Sequence, residues 1–387
     1  VHIRLAVAAL CAAAALTAGT GITAAAPIGV TVLPRPGGEL PVGTTTLHLL
    51  DQDRADPFQP DRARELMVSV FYPAAGTEQW SLARYLSTQL IPDLEQQFGF
   101  QAPGLFTNSY TDAPALGGAS YPVVLYSPGA GVTRLLGTGL AEELASRGYV
   151  VVTVDHTYKA PVVEFPGGRL VRNKPFPAMT PEVRQQFTDA RLGDFRFVLD
   201  SLTRLARGEN PNAGNRALPT GLGAALDLEQ IGAVGHSLGG YIAVESMHDD
   251  PRIDAAVDLD GQIGVDENFG RSVTEGTAEP VLVLTSAQIE EVGDGNPSLN
   301  AFWQNSTGWK RHLVLADAAH YDFTDMPLLV PAVARSAASR YIGSIPAERG
   351  SSLVRTYVAA MFDKFLRDRA DTVLDRPVTD PEITVLK

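Results

Sequence analysis

Short apolar runs recur along the chain at 66–72, 122–126, 149–154, 231–234, 255–259, 281–284 and 312–315. Each is largely apolar and bounded by Gly, Pro, Asp or Ser at one end or both. Such runs, without polar alternation, predict strands buried on both faces. Helical patterns fill several of the gaps. Residues 140–147 form an amphipathic set closed by Gly148, which reads as a C-cap. Thr180 and Pro181 open a second helix as N-cap and first helical residue. It continues with apolar positions at Val183, Phe187 and Ala190 and on toward Val198 and Leu202. A third helix is expected over 352–367, carrying Leu353, Tyr357, Met361 and Phe365. Strand–helix–strand alternation predicts the α/β class: a mostly parallel central sheet with helices on both faces. Residues 27–64, rich in Pro, Gly and turn formers, read as an irregular lead-in. The strands run across the rest of the chain, so 27–387 is expected to be a single domain, with 157–180 as a lid or acyl-pocket wall or an ordinary surface loop.

The first residues follow a different logic. His2 and Arg4 make a weakly basic start, residues 5–16 are almost unbroken Ala, Leu and Val, and the small residues Ala24, Ala25 and Ala26 follow. This is the pattern of a cleaved secretory signal over 1–26. The apolar run is shorter than the ~20 residues a spanning helix needs. Secretion is therefore the expected localisation. The single cysteine, Cys11, falls inside this segment, so thiol chemistry is not expected of the mature chain.

Of the 387 residues, 45% are hydrophobic and 19% charged, enough for a sizeable core. The net charge of −13 offers no electrostatic footprint for nucleic acid or an anionic membrane surface. No nucleotide-binding glycine motif and no metal-ligand spacing occurs, so no cofactor and no protein-bound metal is expected. The expected partner is a small molecule, and the next motif narrows its class.

Gly235-His236-Ser237-Leu238-Gly239 follows the run 231–234 and precedes a helical stretch with Tyr241, Ala243 and Val244. A serine on a sharp strand-to-helix turn is the nucleophile elbow, and its flanking positions must be glycine because a side chain there would collide with neighbouring backbone. The N–H of Leu238, at a helix N-terminus, is then placed to donate to an oxyanion. A serine hydroxyl needs a base. His320 sits in a loop after the last expected parallel strand and follows the serine in chain order. His48, His156, His236, His248 and His312 fit worse, by position in the chain or by expected side-chain direction. The acid that orients the base is expected at Asp260, at the C-terminal edge of the run 255–259, with Asp258 and Glu290 or Glu291 as rivals. Ser127-Pro128-Gly129-Ala130-Gly131, after an earlier strand, is expected to supply the second oxyanion donor at Ala130. Arg191 and Asp194, three apart on the helix opened by Pro181, read as a helix-stabilising pair.

These motifs resemble the α/β-hydrolase superfamily and, within it, the plasma-type platelet-activating-factor acetylhydrolase family, over nearly all of the chain after the signal. Ser127–Gly131 resembles the family's oxyanion loop. Asp260, within Val257-Asp258-Leu259-Asp260, matches its acid, and Ala319-His320 its base. The Ser237-to-Asp260 interval also resembles that family rather than cutinases. Pro128 departs from the histidine of the family's oxyanion loop. The resemblance implies calcium-independent hydrolysis of esters with short acyl groups, phospholipid acetyl esters among them. A polyester- or cutinase-like hydrolase, acyl transfer to an alcohol, and a non-catalytic secreted binding protein on the same fold are the competing readings.

Overall fold

Alternate residues of one apolar strand face two different cores. In the strand Tyr121–Ser127, Val123 and Leu125 join one buried cluster while Val124 and Tyr126 join the other. Ala255–Leu259 and Val281–Ser286 divide their side chains in the same way. Burial on both faces explains why these segments carry no polar alternation.

The computed structural model describes residues 31–98, 104–174, 180–264, 269–290, 297–330 and 339–387. The expected signal segment and Cys11 lie outside the described residues. The strands are β1 (Thr31–Val32), β2 (Val42–Asp56), β3 (Gln59–Pro73), β4 (Leu82–Arg84), β5 (Leu105–Thr111), β6 (Tyr121–Ser127) and β7 (Val150–Asp155). They continue as β8 (Val162–Phe165), β9 (Arg169–Arg172), β10 (Leu226–His236), β11 (Ala255–Leu259), β12 (Val281–Ser286), β13 (Lys310–Leu315) and β14 (Ile383–Val385). The α-helices are α1 (Ile91–Phe98), α2 (Thr138–Ser146), α3 (Pro181–Ala206), α4 (Leu238–Asp249), α5 (Arg271–Thr274), α6 (Ala287–Glu290), α7 (Pro297–Asn305), α8 (Met326–Leu329) and α9 (Ala347–Phe365).

Among the described residues, twelve strands form one sheet in the order β1-β5-β2-β3-β7-β6-β10-β11-β12-β13-β14, with β4 paired to β5. The centre, from β7 to β13, is parallel throughout. The β2–β3 hairpin joins it antiparallel through β3, and β14 closes the far edge antiparallel. Residues of α3, α4 and α7, such as Val198, Ile242 and Phe302, cover one face. Residues of α2 and α9, such as Leu144 and Phe362, cover the other. This is the α/β-hydrolase architecture, and all seven expected strands lie in it as β3, β6, β7, β10, β11, β12 and β13.

Helix signals were equally legible. Thr180 caps α3, its Oγ1 accepting from the Val183 N–H at 3.4 Å, with Pro181 in the first turn. Gly148 follows α2 with φ of 88° and donates its N–H to the Ala145 carbonyl. The lead-in is a correction. Residues 42–56 form β2, and residues 59–64 open β3, so much of the stretch read as irregular is a long hairpin. Thr44, Thr45, Leu47 and Leu49 are buried there among charged and polar neighbours that mask the pattern. Within 157–180, β8 and β9 form a separate two-stranded antiparallel sheet, with Val163 and Phe165 packed on Met67 and Ala160. Residues 175–179 lie outside the described residues.

Candidate active site

β10 ends at His236 and α4 begins at Leu238, with Ser237 between them at φ 57° and ψ −125°. A non-glycine residue in that region is strained and persists only when its surroundings over-determine it. Two glycines make the turn possible. A Cβ on Gly235 would land on the Gly239 backbone, and one on Gly239 would land on the Ser127 carbonyl at the end of β6. The steric reason for the motif's glycines is therefore visible in the fold. The Ser237 N–H donates to the Leu259 carbonyl at 2.8 Å, which ties the turn to the end of β11. Leu238 is the first residue of α4, where N–H groups have no intrahelical acceptor.

Asp260 follows β11 in the left-handed region, at φ 53°. Its buried Oδ2 lies 2.7 Å from Nδ1 of His320, and its Oδ1 accepts the Ser286 N–H at 2.6 Å. An ionised carboxylate is acceptor-only, so Nδ1 of His320 carries the hydrogen and Nε2 keeps the lone pair. His320 begins a short 3₁₀ turn, His320–Phe323, and its side chain is 26% exposed. Asp322 secures that turn through one carboxylate oxygen, which accepts the N–H groups of Ala319 at 2.7 Å and Gly343 at 2.6 Å. The rival Asp258 is buried inside β11. Burial, and then the charge of Asp260, push its carboxyl well above the usual range, so it is neutral. Glu290 ends α6, and Glu291 lies outside the described residues.

The other histidines are held elsewhere. His48 meets Glu65 at 3.0 Å, His312 meets Thr285 at 2.8 Å, and His248 meets Glu275 at 3.2 Å. His236, adjacent to Ser237, turns to His320. Its Nε2 donates to the His320 carbonyl at 2.7 Å, and the two rings lie 4.5 Å apart. Burial first, and the neighbouring His320 second, hold its imidazole neutral. His320 is thus braced against the residue that precedes Ser237. Tyr321 packs on both imidazoles, with ring centroids 5.8 Å from His320 and 5.7 Å from His236, and Tyr341 stands edge-on to Tyr321 at 6.1 Å.

Ala130 lies in the loop after β6, which packs directly on the elbow: a Cβ on Gly129 would come 3.2 Å from the Ser237 Cβ. Beneath this loop runs a buried polar network that sequence reasoning missed. Ser127 Oγ lies 3.0 Å from Nε2 of His156, whose Nδ1 lies 2.9 Å from Oδ2 of Asp194. Burial, then the Arg191 charge, push the His156 imidazole down to about 3, so it is neutral, donating to Asp194 and accepting from Ser127. Asp194 also takes Arg64 through both of its oxygens, and Arg64 in turn reaches Asp56 at 2.8 Å. Burial alone would raise the Asp194 carboxyl; the Arg64 charge and the bonds from His156 and Arg64 outweigh it and hold the group ionised.

Arg191 and Asp194 are accordingly not the helix-stabilising pair expected of them. Both are buried, and the Asp194 oxygens are occupied by Arg54, Arg64 and His156. Arg191 instead donates to the carbonyls of Pro128 at 2.5 Å and Gly129 at 3.0 Å. The available signal was their phase: both fall on the face of α3 that carries Phe187, Ala190, Phe195 and Val198. A charge on an apolar stripe is buried and must be paired or hydrogen-bonded.

Among the described residues, no group of three or more His, Cys, Asp or Glu side chains could hold a metal ion. No described helix is long and apolar enough to cross a membrane.

The family model described as platelet-activating factor acetylhydrolase, isoform II, matches residues 33–371. A probable 1-alkyl-2-acetylglycerophosphocholine esterase of Arthroderma benhamiae is 26% identical over 92% of this chain and 94% of its own length. The platelet-activating factor acetylhydrolase of Cavia porcellus is 23% identical over 66% of this chain and 60% of its own. Among solved structures, a ferulic acid esterase from Streptomyces cinnamoneus superposes with a TM-score of 0.78 at 36% identity, covering 93% of this chain and 100% of that one. The chain belongs to the platelet-activating factor acetylhydrolase isoform II family and is a carboxylic ester hydrolase of the α/β-hydrolase fold.

Proposed function

We propose that the protein is a secreted serine ester hydrolase that cleaves short-acyl carboxylic esters through an acyl-enzyme on Ser237. His320 takes the Ser237 hydroxyl proton at Nε2 as the oxygen attacks the ester carbonyl. The N–H groups of Leu238 and Ala130 receive the oxyanion. His320 returns its proton to the leaving alkoxide, and the same base activates the water that releases the acid and restores the serine. The observation that carries this reading is the buried Asp260 carboxylate 2.7 Å from Nδ1 of His320, which fixes the tautomer a general base requires. Secretion rests on the pattern of residues 1–26.

A second reading concerns the acyl group. Tyr321 stands beside His320, with Tyr341 edge-on behind it, and aromatic rings of this kind favour an aromatic acyl group over a small aliphatic one. The relative named a ferulic acid esterase supports the same direction.

The test is a p-nitrophenyl ester series from acetate to palmitate, with methyl ferulate alongside, on wild type and Ser237→Ala. The proposal expects activity concentrated in the short esters and a loss of about 10⁴-fold or more in kcat in the variant. Preference for methyl ferulate selects the second reading. An alanine variant as active as wild type overturns the mechanism, and absence of labelling by a fluorophosphonate points to a binding protein.

A further inference from the structure

We propose that Arg191 is the positioning residue of the oxyanion loop, aiming the Ala130 N–H by holding the carbonyl on the other side of the same peptide bond. The inference rests on the serine-hydrolase reading and deepens it.

Arg191 projects from the middle of α3 and is buried. Its Nη1 donates to the Pro128 carbonyl at 2.5 Å and to Ser127 Oγ at 3.2 Å, and its Nη2 donates to the Gly129 carbonyl at 3.0 Å. One planar guanidinium therefore grips two successive carbonyls, a geometry that a rigid fork satisfies and a point charge does not. Across a trans peptide the C=O and the following N–H point in opposite directions. With the Gly129 oxygen drawn toward α3, the Ala130 N–H is turned away from it. A Cβ on Gly129 would come 3.2 Å from the Ser237 Cβ, so this peptide lies close beside the nucleophile turn.

The rest of the network keeps Arg191 available for this task. Asp194, one helical turn further along α3, is saturated by Arg54, Arg64 and His156. Ser127 accepts from Arg191 and donates to His156, which locks the start of the loop to the end of β7. A buried guanidinium with backbone carbonyls as its direct acceptors is expensive to maintain. Its hydrogen bonds to Ser127, Pro128 and Gly129 offset that cost, and they hold only in this conformation of the loop. The departure at Pro128 fits this picture. Proline has no N–H, so the peptide before it offers nothing to the site, and the loop's donors come from Gly129 onward.

The experiment compares wild type, Arg191→Lys and Arg191→Met on p-nitrophenyl butyrate, with active sites counted by the endpoint of fluorophosphonate labelling. The expected result is a fall of about 10²–10³-fold in kcat per labelled site for Arg191→Met, the loss typical of a missing oxyanion donor. KM stays within about threefold by the same reasoning, because the oxyanion forms only in the transition state. Arg191→Lys, which reaches one carbonyl, recovers part of the loss. A purely structural role would lower the melting temperature and the labelled fraction while leaving kcat per labelled site unchanged. Such a result with Arg191→Met, or wild-type kcat per site with Arg191→Lys if the methionine variant does not fold, overturns the proposal. Failure of the wild-type chain to label at Ser237 overturns the underlying hydrolase reading instead.

Discussion

Oδ2 of Asp260 and Nδ1 of His320 stand 2.7 Å apart, while the other oxygen of that carboxylate is fixed by the Ser286 N–H. A carboxylate held at both oxygens cannot rotate away from the imidazole, so the ring is oriented by the end of β11 and the end of β12 together. Asp258, two residues earlier, is buried and neutral and does not share this bond. Asp260→Asn should therefore cost about 10⁴-fold in kcat by imposing the wrong tautomer on His320. Asp258→Asn, which replaces a neutral carboxyl by a neutral amide, should leave kcat within about twofold. Steady-state kinetics on the two variants with p-nitrophenyl butyrate separates them, and the reverse ranking would assign the acid to Asp258.

What the sequence made legible follows from local physics. The elbow glycines are required by backbone collisions, of Gly235 with Gly239 and of Gly239 with Ser127, so the motif was legible once read with the strand before it and the helix after it. Asp260 stood out because the run 255–259 stops where β11 does, and His320 because it falls in the loop after β13; the fold brings the two side chains to 2.7 Å. Hidden from it was everything that depends on contacts between distant segments. Arg191 meets a loop more than sixty residues earlier, and Arg64 meets Asp194 from β3. The β2–β3 hairpin was missed for a related reason. Its half-buried strand carries threonines inside and charges outside, and only the sheet beneath it distinguishes that from a loop.

The buried network under the loop that follows β6 should be a large element of stability. Asp194→Leu leaves the buried Arg64 and His156 without their carboxylate. Loss of one partner from a buried ion pair costs about 3–5 kcal/mol. Urea unfolding followed by tryptophan fluorescence is expected to show a shift of that order. Adding Arg64→Met removes the cation that is left with Asp56 as its one carboxylate, and the double variant should be less destabilised than the sum of the two single changes. Additive losses would show that the two side chains act independently.

The turn that carries His320 runs into a buried carboxyl with its own pH dependence. Asp325 accepts the Gly139 N–H at 2.9 Å and the Tyr85 hydroxyl at 3.1 Å. Burial raises its carboxyl to about 7, with the Arg355 charge only partly opposing. Because the folded value lies above the unfolded one, the fold holds this proton when the unfolded chain has already released it. Its contribution to stability therefore declines as pH rises from about 4 to about 7 and is constant above that. Asp325→Asn removes this term and keeps an oxygen for the Gly139 N–H. The melting temperature of the variant relative to wild type should climb between pH 5 and pH 7 and level off beyond. A difference independent of pH across that range would mean that Asp325 is ionised throughout.

Acyl preference can be tested without touching the proposed triad. Tyr341 is 36% exposed and its ring lies against that of Tyr321, which in turn lies against His320. If this pair forms the wall on which an aromatic acyl group rests, its removal should penalise aromatic esters alone. Aromatic pairs are worth roughly 0.5–1.5 kcal/mol beyond the area they bury, which corresponds to a loss of about 2- to 12-fold. Tyr341→Ala should therefore lower kcat/KM for methyl ferulate by a factor in that range and leave p-nitrophenyl acetate within about twofold, because an acetyl group is too small to reach the ring. Equal losses on both esters would show that the Tyr341 ring supports the His320 turn through its packing on Tyr321, rather than the acyl group.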